Sequence, residues 1–370
     1  MNLSMLPSLA LTAFMLFCLS AHGEALAEAP AVPEGPAISW DGSVSESEWD
    51  AYAQRFVSPD GRVIDTLNDQ ISHSEGQGYG LLFAFMAGNK SDFARIWSFT
   101  DRELRVRDDG LLAWKWTPGD RPRVTDLNNA TDGDLLIAYA LEGAAQKWGV
   151  AEYASAAAEI RDAIKGSMIE KRAGRVFLIP GAEGFRTEKG LVINPSYWVH
   201  EALAHFAETD PSGPWAALAE SGREIPSLWA RYQPDGSVLP EWALLPVNGP
   251  DMAPVTGDDD KSGLGYNAMR APLYAVRAGL KDDRDITAVA RAMVGDDGSL
   301  LLTKADGSEA ARLTDPGYRA LSSLIGCAIL KRTEGTIGEF VPTEYYPSTI
   351  HLLTLSAARV KAPECVIESR

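Results

Sequence analysis

The sequence predicts an all-α protein built as a single domain, and three observations carry that expectation. Eleven segments place apolar residues three and four positions apart, the repeat that gathers them on one helix face. Strand signals are confined to short runs such as Arg175–Ile179 and Ser299–Leu302. No stretch after residue 38 has the composition of a linker. Helices joined by loops, without alternating strands, exclude a doubly wound sheet or a β/α barrel. A helical solenoid and a closed barrel of helical hairpins remain.

The first element is a leader. Leu6 to Ala21 is apolar and uncharged and is followed by Ala25-Leu26-Ala27, a small-residue stop of the kind that ends a secretory signal peptide. Residues 1–27 are therefore expected to be removed, leaving an exported chain, periplasmic or secreted. The apolar stretch falls short of the roughly 20 residues of a membrane span, so no stable anchor is expected after cleavage. Residues 28–38 (EAPAVPEGPAI) are rich in Pro and Ala and read as a tether. The domain occupies residues 39–370.

Within it the helical segments run, in order, over Ser47–Val57, Gly78–Ala87, Asp92–Leu104, Asp134–Trp148, Ala151–Ile169 and Tyr197–Ala207. They continue over Pro214–Tyr232, Tyr266–Ala278, Thr287–Val294, Gly317–Leu330 and Thr349–Val360. Asp134–Trp148 is the clearest, with Leu135, Ile137, Ala138, Leu141, Ala144, Ala145 and Trp148 along one face. Cys327 falls in the apolar run LIGCAIL and reads as a buried small hydrophobe, with a disulfide to Cys365 as the less favoured alternative.

Charge narrows the function. The 370 residues carry 51 Asp+Glu against 34 Lys+Arg, a net charge of −17, which disfavours nucleic acid and anionic lipid as partners. Ten Trp and 11 Tyr point toward flat, apolar ligand faces. Three suggestive patterns fail on geometry. His200 and His205 are five apart, about 140° around a helix, so they do not share a metal-binding face. Gly263-Leu264-Gly265-Tyr266-Asn267-Ala268 follows the acidic run Asp258–Asp260, where a pyrophosphate would be repelled. Gly76, Gly78 and Gly80 lack the spacing of a phosphate loop. No metal and no cofactor is expected.

Two acidic segments look placed for chemistry. Glu75 stands among Gly76, Gly78 and Gly80, just before the apolar helix Leu81–Met86. Apolar and aromatic neighbours would strip its water and let it hold a proton, as a general acid must; the alternative is a Glu that merely complements a helix dipole. Asp132 and Asp134 in Asn128-Asn129-Ala130-Thr131-Asp132-Gly133-Asp134 cannot both cap one helix, so one is spare. Three aromatic pairs accompany these acids, Trp114 and Trp116, Tyr197 and Trp198, and Tyr345 and Tyr346. Rings of this kind stack on sugar faces or pack in a core.

Taken together, these residues resemble glycoside hydrolase family 8, the family of endoglucanases, chitosanases and xylanases, over nearly the whole mature length. The most specific match is Ala130-Thr131-Asp132-Gly133-Asp134-x-x-Ile137-Ala138. Ser74-Glu75-Gly76-Gln77-Gly78-Tyr79-Gly80, Trp114, Asn194-Pro195-Ser196-Tyr197 and Tyr345-Tyr346-Pro347-Ser348 sit in family-like contexts and in the right order. Within the family the chain is most similar to exported bacterial cellulases encoded with cellulose synthase. The resemblance implies an (α/α)6 barrel and hydrolysis of β-1,4-glucan, above all cellulose, with inversion. It also implies a possible association with a cellulose synthase complex. Glu75 would be the acid, Asp132 would hydrogen-bond the distorted sugar and help orient the water, and Trp114, Tyr197, Tyr266, Asn267, Arg270 and Tyr346 would bind substrate.

One position departs from the pattern. Where the endoglucanase type has Tyr-Asp-Ala-x-Arg, this chain reads Tyr266-Asn267-Ala268-Met269-Arg270. An amide positions a water but cannot take its proton. Three readings follow: a base elsewhere, with Asp258, Asp259 and Asp260 the nearest acids; a larger role for Asp132; or a weakly active or non-hydrolytic glucan-binding protein associated with a synthase. Chitosan or xylan as substrate is a further alternative.

Overall fold

A computed structural model describes residues 37–232, 239–249, 251–255, 263–332 and 337–366. The leader, most of the tether and Asp258–Asp260 lie outside the described residues. Each periodic segment forms a helix, and burial sorts the helices into layers. In α2 (Ser74–Met86), α4 (Thr131–Trp148) and α11 (Tyr345–Lys361) nearly every side chain of the apolar run is buried, which requires neighbours on all sides. In α3 (Lys90–Glu103), α5 (Ala151–Ser167) and α9 (Arg284–Met293) burial is confined to one stripe, such as Ile286, Val289, Ala290 and Met293. The first layer lies inside and the second shields it.

The remaining helices are α1 (Glu46–Phe56), α6 (His200–Thr209), α7 (Trp215–Tyr232), α8 (Arg270–Arg277) and α10 (Pro316–Leu324). Consecutive helices pair as hairpins, α2 with α3, α4 with α5, α6 with α7, α8 with α9 and α10 with α11. Around the inside, α2 packs on α4, α4 on α6, α6 on α8, and α8 on α11. Tyr345 closes the ring by meeting His73 edge-on at 5.7 Å. Tyr52 of α1 bridges the same seam, 5.2 Å from the Phe83 ring and hydrogen-bonded to Thr349 at 2.9 Å. The architecture is an (α/α)6 barrel.

The α2–α4 contact is a backbone contact. A Cβ on Gly133 would stand 2.3 Å from Ser74 Oγ and 2.7 Å from the Glu75 nitrogen, and one on Gly78 would stand 2.7 Å from Leu136 Cβ. Only hydrogen fits at these two positions, and that closeness sets Glu75 beside the start of α4.

Three helix starts differ from the periodic reading by four residues, the largest shifts. The α2 helix begins at Ser74, capped by His73, so Glu75 lies inside its first turn rather than before it. The start of α8 is Arg270, because Tyr266–Met269 form turns closed by Arg270 N–H to Asn267 O at 3.0 Å. The start of α11 is Tyr345. A first antiparallel pair joins β1 (Ser72–His73) to β2 (Lys115–Trp116), and both strand signals form hairpins, β3 (Ile169–Arg172) with β4 (Arg175–Leu178) and β9 (Leu300–Thr303) with β10 (Glu309–Leu313). An unforeseen antiparallel sheet adds β5 (Arg186–Thr187), β6 (Gly190–Ile193), β7 (Ala243–Pro246) and β8 (Ala253–Pro254). Strands of two to four residues are too short to show a period of two.

Cys327 and Cys365 are joined in a disulfide, against the expectation of a free buried thiol. The chain turns back after α11 through Pro363–Cys365, a long-range contact that local periodicity does not report. Ile38, at the end of the expected tether, is already buried against Gly143.

Candidate active site

Inner helices present their N-terminal ends to one end of the barrel, and the polar residues of the sequence reading collect there. Glu75 is in the first turn of α2, Asp132 in the first turn of α4, Arg270 opens α8 and Tyr346 is the second residue of α11. Ser196 and Tyr197 lie in a 3-10 turn (Pro195–Tyr197) just ahead of α6. Unpaired N–H groups at helix starts carry partial positive charge, so this end favours carboxylates.

Arg270 organises the cluster. It is 1 % exposed, and its Nη1 donates to Glu75 Oε1. Its Nη2 donates to Asn267 Oδ1 at 2.9 Å and Ser196 Oγ at 3.0 Å, and lies 3.4 Å from Asp132 Oδ2. Glu75 keeps 18 % of its side chain in solvent, so it faces an open space.

The two aspartates divide their labour. Neither caps α4: Ala130 occupies that position without a side-chain bond, contrary to the expected cap. Asp134 holds the scaffold, accepting from Leu112 N–H at 3.0 Å and Asn129 Nδ2 at 2.8 Å. Asp132 Oδ1 accepts from Gly133 N–H at 2.8 Å, while its buried Oδ2 has no hydrogen-bond partner. Loss of water pushes Asp132 up to about 7 and Asp134 likewise up to about 7. Arg270 near Asp132 favours the charged form, but at 3.4 Å and poorly aligned it does not offset burial.

Glu241, just before β7, is the residue that sequence reasoning missed. Its Oε1 accepts from the backbone N–H groups of Asn267 at 2.7 Å and Ala268 at 3.4 Å, and its Oε2 from Asn267 Nδ2 at 2.5 Å. Burial raises this carboxyl above its ordinary range, against those donors. The criterion applied to Glu75, an acid among aromatic and apolar neighbours, would have found it in Leu239-Pro240-Glu241-Trp242-Ala243-Leu244.

Aromatic residues flank the acids. Tyr197 lies 6.0 Å from Trp242, which stacks on Phe185 at 5.6 Å. Tyr346 and Tyr266 meet at 6.3 Å, both near Tyr318, and Tyr346 Oη donates to Tyr266 O at 2.8 Å. Tyr266 is 50 % exposed, as a ring offered to a ligand would be. Trp114 is held by Nε1 donation to Asp126 at 2.7 Å, and its carbonyl accepts from Ser74 N–H at 3.0 Å, which ties it to the start of α2. Trp116, Trp198 and Tyr345 belong to the core instead. The residues of the apparent zinc helix go to separate networks, His205 to Glu142 at 2.8 Å and Glu201 to Arg277.

A family model described as glycosyl hydrolases family 8 matches residues 33–295. The chain belongs to this family. An endoglucanase of Cellulomonas uda is 34 % identical over 62 % of this chain and 63 % of its own length. A probable endoglucanase of Novacetimonas hansenii is 35 % identical over 61 % of this chain and 65 % of its own length. The chain thus spans less than two thirds of the curated relatives it matches. Among solved structures, the endo-β-1,4-glucanase CMCax of Acetobacter xylinum superposes with a TM-score of 0.76 at 28 % identity, covering 87 % of this chain and 99 % of that one. Endoglucanase Cel10 of Klebsiella pneumoniae, a family 8 hydrolase, gives 0.75 at 28 % identity, with 85 % and 99 % covered. Family 8 therefore accounts for the barrel, and every acid of the cluster falls within the matched residues.

Proposed function

We propose that the chain is an exported endo-β-1,4-glucanase that hydrolyses cellulose and related β-glucans with inversion, using Glu75 as general acid. One observation carries this reading: the buried guanidinium of Arg270 hydrogen-bonds Glu75 and lies 3.4 Å from Asp132, at a barrel end flanked by Tyr197, Tyr266 and Tyr346. The names of the relatives support glucan as the substrate.

Glu75 would protonate the departing glycosidic oxygen. Arg270 favours the carboxylate left behind, so the interaction strengthens as the proton leaves, which is what lowers a barrier. Asp132, with an unfilled Oδ2, would take a sugar hydroxyl, and Trp114, Tyr197, Tyr266 and Tyr346 would face the rings. The non-hydrolytic reading rested on the absence of a second carboxylate near Asn267; Glu241 supplies one and removes that motive. Export is supported by the Cys327–Cys365 disulfide, a bond that persists in oxidising compartments.

Release of reducing ends from carboxymethyl-cellulose and from unmodified β-glucan tests the reading. Glu75→Gln should cost about 10²- to 10⁴-fold in kcat with an unchanged melting temperature, the usual contribution of a positioned acid. Full activity in Glu75→Gln, or no turnover by the parent chain on any glucan, would sink it.

A further inference from the structure

The geometry points to Glu241 as the general base, the group that takes a proton from the attacking water; the inference rests on the hydrolase reading above. Its carboxylate is built into the place where Asn267 alone would leave none. Two backbone N–H groups and the Asn267 amide fix it at 2.5–3.4 Å. A Cβ on Gly265 would stand 2.2 Å from Oε1, so the neighbouring loop is shaped to admit this side chain. Those three donors leave one lone pair of Oε2 unengaged among the described residues, and Glu241 is only partly buried, so water reaches it.

Its relation to the acid is also suited to the task. Asn267 donates to Glu241 and accepts from Arg270, whose other edge holds Glu75. Acid and base therefore sit at the two ends of a guanidinium–amide bridge and do not touch. Retaining pairs stand about 5 Å apart, whereas inverting pairs need roughly 6.5–9.5 Å to seat a water; two intervening hydrogen-bonding groups fit the wider class. Trp242, next in the chain, packs on Tyr197, and Tyr197 and Tyr346 both feel the charge of Glu241, so it belongs to the same cleft. Partial burial makes it a stronger base than a hydrated carboxylate.

In the step, the water oxygen bonds to the anomeric carbon as the glycosidic C–O bond breaks. The departing oxygen keeps that electron pair and takes the Glu75 proton, while a water proton passes to Glu241. Glu75 ends as carboxylate and Glu241 as carboxylic acid; proton exchange with solvent restores both, and one water is consumed.

The full-length protein and its Glu241→Gln, Glu241→Ala and Glu75→Gln variants test this. Glu241→Gln, nearly isosteric, should lose about 10²- to 10⁴-fold in kcat with little change in KM. Glu241→Ala, given sodium azide and a dinitrophenyl β-cello-oligosaccharide, should form the α-glycosyl azide, visible by proton NMR. Glu75→Gln should turn over the same activated substrate without azide, because its leaving group needs no proton. A group that only props Asn267 yields no azide product. A folded Glu241→Gln with undiminished kcat, or a folded Glu241→Ala that forms no glycosyl azide, overturns the assignment. If the parent chain cuts no glucan, the hydrolase reading fails with it; if parent and Glu241 variants cut alike, only this assignment fails.

Discussion

Asp132 has exchanged nearly all its water for protein, and the cost shows in how stability should depend on pH. Its folded-state pKa, about 7, lies above the ordinary 3.8. A raised pKa contributes stability that is full below the unfolded value and is lost as pH climbs through the folded one. Asp132→Asn removes that loss. The variant and parent should melt together near pH 4, and the variant should melt several degrees higher by about pH 7.5, while the proposed turnover of glucan should fall. Calorimetry across that range checks it; parallel curves would mean Asp132 is not the titrating group. At this scale the sequence was informative where a motif held several residues together. Glu75, Asp132, Arg270 and the tyrosines could be picked out because family spacing named them. Glu241 lies outside any such motif: its apolar and aromatic neighbours are the one local signal for it, and its pairing with Asn267, 26 residues away, leaves no trace in the sequence.

Helix α2 meets α4 with no side chain between them at Gly133, and that closeness carries the acid to its station. Gly133→Ala would push a methyl to 2.7 Å from the Glu75 nitrogen. Overpacking of this kind typically costs about 1–3 kcal/mol. A lower melting midpoint together with a lost kcat is expected, whereas Gly166→Ala, with open space around it, should change neither. A stable, fully active Gly133→Ala would show that α2 can shift freely. Helices were readable because eight to eighteen residues give several turns of period 3.6, enough to stand above noise. Their starts were not, since they depend on caps and turns such as His73 and Tyr266–Met269. The four-stranded sheet escaped notice because β5 and β8 have two residues each.

The barrel as a whole was legible by elimination, from many helices and few strands, and its closure was implied by family likeness rather than by periodicity. Its covalent tie was not legible, because Cys327 and Cys365 are 38 residues apart in sequence and meet only when the chain returns. A crosslink over such a loop is worth about 4 kcal/mol in the chain-entropy view. One property of the finished molecule follows from Arg270. Among the described residues its guanidinium alone serves Glu75, lies near Asp132 and, through Asn267, reaches Glu241. When all three are ionised the trough carries surplus negative potential, on a chain already at −17. On the proposed function, a carboxymethylated polymer would enter against that field and a plain glucan would not. Adding sodium chloride, which shortens the reach of such fields to about 10 Å at 0.1 M, should therefore speed attack on the derivatised polymer and leave barley glucan almost untouched.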